Sequence, residues 1–164
     1  GITEMVRGVD LVREQLRIAS GLPLSVTQEA VHITGHAIEC RVNAEDPAAD
    51  FRPCPGTVEF LHFPGGPGVR VDSCLYTGCQ LPPWYDSLAA KVMAHAPTRL
   101  EAIRRMRRSL EEFILEGFPT NAELSYQILY HPDFIRGCCT TAFLDEHLPE
   151  LLEFRRRLEE ETKV

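Results

Sequence analysis

Along residues 36–43, a mainly apolar set of side chains alternates with a mainly polar set, and this segment constrains the fold more than any other. Successive side chains of a β-strand point to opposite faces, so a period of two predicts a strand with one face in a core. One face carries His36, Ile38, Cys40 and Val42, and the other carries Ala37, Glu39, Arg41 and Asn43. Glu45-Asp46-Pro47 then interrupts the alternation and ends the strand.

Three further segments have strand patterns, over residues 56–63, 69–73 and 87–95. The run Pro64-Gly65-Gly66-Pro67-Gly68 lies between the first two of these and is dense in turn-forming residues. It joins two strands and has no helix N-terminus that would attract a phosphate. We therefore interpret it as a structural turn.

The first twenty residues have a helical period. The apolar residues recur at steps of three and four, at Met5, Val9, Val12, Leu16 and Ala19. Gly21 and Pro23 supply a stop, so the pattern predicts a helix over about residues 3–20 that presents this stripe to a core. Gly8 weakens such a helix, which leaves two shorter helices as the alternative.

The last third of the chain is predicted to be helical. Thr98-Arg99-Leu100-Glu101 has the pattern of a capping box, and Gly117 is interpreted as the stop of the helix that follows. Its apolar face is formed by Leu100, Ile103, Met106, Leu110 and Phe113. Thr120-Asn121-Ala122-Glu123 repeats the capping pattern before a helix to about Tyr130. A charged helix is expected from near Pro149 to the end of the chain.

Helix, antiparallel strands and then helices indicate an α+β domain with a sheet or barrel-like core, which residues 1–164 form as a single domain. The net charge of −7 argues against nucleic-acid binding. No apolar run approaches the ~18 residues of a membrane span, so a soluble protein is expected. Six cysteines without a C-x-x-C spacing indicate reduced thiols, with Cys138-Cys139 as small turn residues or, alternatively, a redox pair.

Several residues could carry chemistry. Arg41 lies on the polar strand face, where it could bind a carboxylate or a developing oxyanion, or form an ion pair with Glu39. Tyr85-Asp86 follows the stiff Pro82-Pro83-Trp84 segment and could be functional or structural. The basic run at Arg104, Arg105, Arg107 and Arg108 is interpreted as a solvated helix face, with phosphate binding as the alternative. His32 and His36 do not suit a shared metal, and no metal site is predicted.

An ordered series of motifs resembles the biotin carboxylase family. The most specific is the block from Glu39 to Pro47, E-C-R-x-N-A-E-D-P. The series also contains Thr3-Glu4-Met5-Val6, Gly8-Val9-Asp10-Leu11-Val12, His36-Ala37-Ile38, Pro53-Cys54-Pro55-Gly56, Pro64-Gly65-Gly66-Pro67-Gly68-Val69-Arg70, Tyr85-Asp86-Ser87 and Gly117-Phe118-Pro119-Thr120-Asn121. These stretches span the chain up to about Leu148 in the family's order.

The resemblance implies a C-terminal domain that completes an ATP-grasp enzyme. Such enzymes use Mg-ATP to activate bicarbonate as carboxyphosphate and then carboxylate biotin on a carrier protein. Arg41 matches the arginine that contacts the ureido oxygen of biotin, and Tyr85 and Asp86 match residues beside the biotin pocket. Arg70 matches a residue of the dimer interface, and Thr141 lies where a side chain covers the adenine of ATP.

The resemblance further implies that the residues for ATP, Mg²⁺, bicarbonate and the catalytic base lie upstream of this chain. We expect a fragment that is inactive by itself and holds no cofactor. The expected parent is the cytoplasmic biotin carboxylase subunit of an acetyl-CoA carboxylase in fatty acid synthesis. Its partners would be its own ATP-grasp domain, a second copy, the biotin carboxyl carrier protein and the carboxyltransferase. Propionyl-CoA, methylcrotonyl-CoA or pyruvate carboxylase is the alternative, as is a noncatalytic dimerisation or binding module.

Overall fold

A computed structural model describes the backbone of residues 1–161 and the side chains of residues 1–154. The helices are α1 (Ile2–Arg7), α2 (Leu11–Ala19), α3 (Arg99–Glu112), α4 (Ala122–Ile128), α5 (Pro132–Arg136) and α6 (Phe143–Glu161). The strands are β1 (His36–Asn43), β2 (Glu45–Asp46), β3 (Arg52–Pro53), β4 (Phe60–His62), β5 (Val69–Asp72), β6 (Leu88–Ala96) and β7 (Ile114–Glu116). None of the described helices combines the length and the apolar character that a bilayer crossing requires.

The central sheet has three antiparallel strands in the order β1-β6-β5. In its register Cys40 lies opposite Val92, and Val92 lies opposite Val71 on the other side. Two smaller pairs, β2–β3 and β4–β7, stand beside it. The predicted α+β class is confirmed, but the described strands form separate sheets and do not close into a barrel.

The inner face of the sheet packs against α3, and this contact forms the main core. Ile38, Cys40 and Val42 of β1 are buried there, as the alternation predicts. The α3 side of the core is formed by Ala102, Ile103, Met106 and Leu110. Burial of a large apolar side chain stabilises a fold by roughly 1.5–3 kcal/mol. Burial also raises the pKa of the Cys40 thiol to about 12, with the Glu39 carboxylate adding to the effect.

The predicted capping box of α3 is present. The Thr98 hydroxyl accepts the backbone N–H of Glu101, and the Glu101 carboxylate accepts the N–H of Thr98. Leu100 is an exception to the predicted apolar face, because it is exposed.

All six cysteines are free thiols, and the Cys138-Cys139 pair is exposed after the left-handed Gly137 that ends α5.

The N-terminal segment corrects one prediction. Gly8 adopts a left-handed conformation, with φ of 67°, and divides the segment into two helices. The apolar stripe does not face a core: Val12 is 60% exposed and Leu16 is 65% exposed. The one buried residue of α2 is Glu14, whose carboxylate accepts hydrogen bonds from Ser25.

The C-terminal third differs from the sequence prediction in three ways. The helix α3 ends at Glu112, so Gly117 follows strand β7 and does not cap a helix. The short helix α5 was not predicted, and α6 begins at Phe143 with Pro149 inside it. The charged end of α6 lies outside the described side chains.

The strand predicted over residues 56–63 is shorter, with β4 at Phe60–His62 and an isolated bridge between Thr57 and Gln80.

Candidate functional site

Arg41 lies on the outer face of β1 and is exposed. Its backbone pairs with that of Lys91 in β6, which fixes the position of the Arg41 Cα. Among the described residues, no carboxylate or other group forms a hydrogen bond or an ion pair with the guanidinium of Arg41. The ion pair with Glu39 that the sequence left open is therefore not formed, and the guanidinium can bind a group from outside.

Asn121 holds the part of β1 that carries Arg41. Its side-chain oxygen accepts the backbone N–H of Asn43 at 2.8 Å, and its side-chain nitrogen donates to the Arg41 carbonyl at 3.1 Å. The register of β1 and β6 shifts between Val42 and Asn43, so this N–H needs a partner outside the ladder. The sequence placed Asn121 in a capping motif, whereas its side chain does not cap α4. Its role as a clamp was missed, because the partner strand is remote in sequence.

A second network joins the end of β1 to the loop before β6. The Ser87 hydroxyl donates to the Glu45 carboxylate at 2.5 Å, and the same oxygen accepts the Asn43 side-chain N–H at 3.3 Å. The side-chain oxygen of Asn43 is buried and has no hydrogen-bond partner among the described residues. A buried acceptor of this kind is unfavourable unless another molecule satisfies it.

The charges on the outer face form a row across the sheet. Arg41 lies directly opposite Lys91, and Lys91 lies opposite Asp72 of β5. Like charges that face each other across a strand pair destabilise a sheet. Asp72 supplies negative charge at one end of the row, and an anionic group would be favourable at the Arg41 end. The lysine was missed, although a lone cation in an otherwise apolar strand was a visible signal.

Tyr85 and Asp86 lie in the loop that leads into β6, and both are exposed. The Asp86 carboxylate accepts the backbone N–H of Leu88 at 3.1 Å and so shapes the start of the strand. Tyr85 and Ser87 line a cavity of about 290 Å³ with Ala44 and several prolines. Through the contact of Ser87 with Glu45, the structure brings this loop to the end of the strand that carries Arg41.

Arg70 and Thr141 are placed elsewhere. The guanidinium of Arg70 forms two hydrogen bonds of 2.7 Å with Asp72 and one of 2.8 Å with Glu4, and these contacts raise its pKa. Arg70 therefore connects α1 to the sheet, and its side chain remains partly exposed. Thr141 is exposed in the connection between α5 and α6, on elements separate from the strand that carries Arg41.

The basic run on α3 is mostly structural, which corrects the solvated-face interpretation. Arg105 donates to the His95 carbonyl. Arg107 donates to the Leu129 carbonyl and lies 3.7 Å from the centre of the Tyr130 ring. Arg108 contacts Glu112 and the Gly65 carbonyl. The predicted turn at residues 64–68 joins β4 and β5, and the hydrogen bond from Arg108 to the Gly65 carbonyl connects this turn to α3.

Replacement of Asn121 by alanine is expected to lower the free energy of unfolding by about 1–3 kcal/mol, because the N–H of Asn43 loses its acceptor in a partly buried site. Asn121→Asp keeps that acceptor but places a carboxylate oxygen against the Arg41 carbonyl where the donor was, so it should also be destabilising. Urea unfolding of the three proteins measures this. An Asn121→Ala protein with the wild-type midpoint would show that the clamp contributes nothing.

Comparisons with known proteins agree with one another. Residues 39–146 match the model of the biotin carboxylase C-terminal domain. The biotin carboxylase of Nostoc sp. is 51% identical over 88% of this chain and 32% of its own length. A pyruvate carboxylase subunit of Methanothermobacter thermautotrophicus is 49% identical over 89% of this chain and 30% of its own length.

Solved structures show the same similarity. The biotin carboxylase subunit of a pyruvate carboxylase superposes with a TM-score of 0.88 and 44% identity, over 92% of this chain and 33% of that one. The biotin carboxylase domain dimer of Hydrogenobacter thermophilus 2-oxoglutarate carboxylase, solved with MgADP, ADP and bicarbonate, has the same TM-score of 0.88 and 43% identity over 92% of this chain and 33% of that one. The chain thus spans about a third of the length of these relatives.

Proposed function

The chain belongs to the biotin carboxylase C-terminal domain family, and from this we propose that it completes the biotin site of an ATP-dependent biotin carboxylase. The observation that carries the proposal is that the guanidinium of Arg41 has no hydrogen bond or ion pair with any residue whose side chain the structure describes. It is exposed on a strand held by β6 on one side and by Asn121 on the other. A cation on such a fixed stretch of backbone can stabilise negative charge that develops on a bound group, without first leaving another partner.

Biotin carboxylation places such charge on the ureido oxygen of biotin when the neighbouring nitrogen loses its proton. The guanidinium of Arg41 donates hydrogen bonds to that oxygen in our proposal, and Lys91 adds positive potential from the facing strand. We assign Tyr85 and Asp86 to the surroundings of the ureido group, because they lie on the loop whose Ser87 hydroxyl donates to Glu45. The buried side-chain oxygen of Asn43, which no described residue satisfies, also supports a polar ligand at this end of the strand.

The exposed apolar residues of the N-terminal helices support a partner domain. Val12, Leu16 and Ile18 of α2 are exposed together with Leu22 and Leu24 after it. Exposed apolar side chains at this density favour a contact with another protein surface. We propose that the ATP-grasp part, which holds ATP, Mg²⁺, bicarbonate and the catalytic base, covers this surface.

The remaining assignments are proposals of the same kind. Arg70 is partly exposed on β5 and is assigned to the interface of a homodimer, and Thr141 is assigned to the adenine of ATP. The partners are the biotin carboxyl carrier protein and the carboxyltransferase of a cytoplasmic acetyl-CoA carboxylase in fatty acid synthesis. A pyruvate carboxylase is the second candidate, because the Methanothermobacter pyruvate carboxylase subunit is 49% identical. A purely structural module is disfavoured, because Arg41 has no ion pair among the described residues.

The assay is ADP release by a chain that joins these residues to an ATP-grasp part. Release should depend on bicarbonate and should rise when free biotin is added. The 164-residue chain alone should release none, because the proposal assigns the magnesium ligands and the catalytic base to the ATP-grasp part. Biotin-dependent ADP release from the short chain would contradict the proposal, and so would turnover by the long chain that biotin leaves unchanged.

A further inference from the structure

Two histidines and a glutamate meet between α5 and α6, on elements that Arg41 does not touch. His131 precedes α5, and His147 and Glu150 lie one turn apart on α6. One potential ligand atom from each of the three lies within 4.8 Å of the others. No sequence pattern indicated this group, because His131 and His147 are far apart and have no familiar ligand spacing.

The two imidazole rings are held in place by packing. Their centroids are 4.3 Å apart, and the buried Phe143 ring packs against both, at 4.9 Å from His131 and 4.8 Å from His147. The side chains of His131 and His147 are 12% and 24% exposed. Ligands whose positions are fixed in advance lose little conformational entropy when an ion binds.

The spacing of the polar atoms suits a metal ion. Oε1 of Glu150 is 3.5 Å from Nε2 of His131 and 3.4 Å from Nδ1 of His147. Ligand atoms at about 2.0–2.1 Å from a tetrahedral zinc ion lie about 3.3 Å from each other. The glutamate is therefore already at nearly the correct distance from one nitrogen of each ring.

Asp133 occupies the position of an outer-shell carboxylate. Its Oδ2 is 3.8 Å from Nδ1 of His131 and 3.8 Å from Nε2 of His147, which are the two nitrogens that face away from Glu150. Metal-bound histidines commonly donate their other N–H to such a carboxylate. Its second oxygen binds Arg136 at 2.6 Å, which fixes the orientation of the carboxylate.

Ion binding would require one rearrangement. Nδ1 of His131 accepts the backbone N–H of Asp133 at 3.2 Å, so the neutral ring carries its proton on Nε2. To ligate through Nε2, the ring must lose that proton and carry one on Nδ1, which then donates to the Asp133 carboxylate. The proton moves from Nε2 to Nδ1 through solvent, so the neutral ring changes tautomer without net proton release, and one capping hydrogen bond is exchanged for a charge-assisted one.

We propose that His131, His147 and Glu150 bind a divalent transition-metal ion of the Zn²⁺ or Co²⁺ class. Imidazole nitrogens with one carboxylate suit these ions better than Mg²⁺ or Ca²⁺, which prefer oxygen ligands. Three protein ligands leave a fourth position for water. His131 and Glu150 also line a cavity of about 740 Å³, through which an ion can enter. This site is independent of the function proposed for Arg41.

The test titrates the reduced 164-residue chain with Co²⁺, and then with Zn²⁺ in competition, and follows visible absorption. One equivalent of Co²⁺ should bind with the spectrum of a tetrahedral nitrogen and oxygen site, and Zn²⁺ should displace it. His147→Gln and Glu150→Gln should each weaken binding at least tenfold, and both residues are exposed enough for the fold to survive. His131 is left unchanged, because it caps α5.

Two matched variants serve as controls. Glu146→Gln removes an exposed carboxylate from the same helix, and His32→Gln removes an exposed histidine, and both should retain wild-type affinity. The proposal is overturned if the wild-type chain binds no Co²⁺, or if His147→Gln and Glu150→Gln bind it as tightly as the controls. A sulfur-to-cobalt charge-transfer band would also overturn it, by assigning the ion to the exposed thiols.

Discussion

Arg41→Ala, made in a chain that includes the ATP-grasp part, is expected to lower biotin-dependent ADP release about 100- to 1000-fold, the loss typical when a group that stabilises a developing oxyanion is removed. Biotin-independent ATP cleavage should be retained, because our proposal assigns Arg41 to biotin and not to the nucleotide. The guanidinium has no partner among the described residues, so its removal breaks no internal ion pair. Steady-state ADP release with and without biotin separates the two effects.

Two variants sharpen the Arg41 test. Arg41→Lys keeps the charge but loses the planar fork of donors, so a partial loss is expected. Arg104→Ala removes an exposed arginine from α3 and should have no effect on either rate. Equal biotin-dependent rates in the Arg41→Ala and unaltered proteins would mean that Arg41 is structural and that the biotin assignment is wrong.

Gly117→Ala is expected to be the most destabilising single substitution considered, with a loss of about 3–5 kcal/mol in the free energy of unfolding. Gly117 has φ of 119°, a conformation that L-residues other than glycine rarely adopt. An added Cβ would also overlap the backbone carbonyl of Thr57, which cannot move without disturbing the pairing of β4 with β7. Urea unfolding of the chain measures the loss.

Gly78→Ala is the matched control for Gly117→Ala. Gly78 also has a positive φ, of 91°, but an added Cβ there meets nothing within 4 Å. Only the backbone strain remains, and a loss of about 1–2 kcal/mol is expected. If both variants unfold at the same urea concentration, the close approach of Gly117 to Thr57 has no energetic importance.

Local patterns in the sequence were sufficient for much of the fold. The alternation over residues 36–43 predicted β1 with its buried and exposed faces, because a strand's period of two depends only on its own residues. The capping box at Thr98 and the apolar face of α3 were also predicted, since a helix and its cap lie within a few turns. The resemblance then supplied a role for Arg41 that periodicity had left open.

Gly117 and Asn121 show what sequence reasoning missed. Gly117 was interpreted as a helix stop, which is wrong, whereas Asn121 does precede α4 as its capping pattern predicted, although its side chain does not cap the helix. In the structure a side chain at position 117 would overlap the backbone carbonyl of Thr57, so glycine is needed there. The side chain of Asn121 binds the backbone of β1. Each partner is remote in the chain, and no local pattern records it.

The sequence by itself determined the α+β class, the strand that carries Arg41 and the main helix packed against it, because those features arise from contacts along one element. The tertiary structure decided which charges meet. It placed Lys91 opposite Arg41, paired Arg70 with Glu4 and brought His131 to His147. It also left the stripe of α2 exposed, although the helical period is identical for a buried and an unburied face. Periodicity specifies a side chain's direction within its own element, whereas packing between elements determines what that side chain contacts.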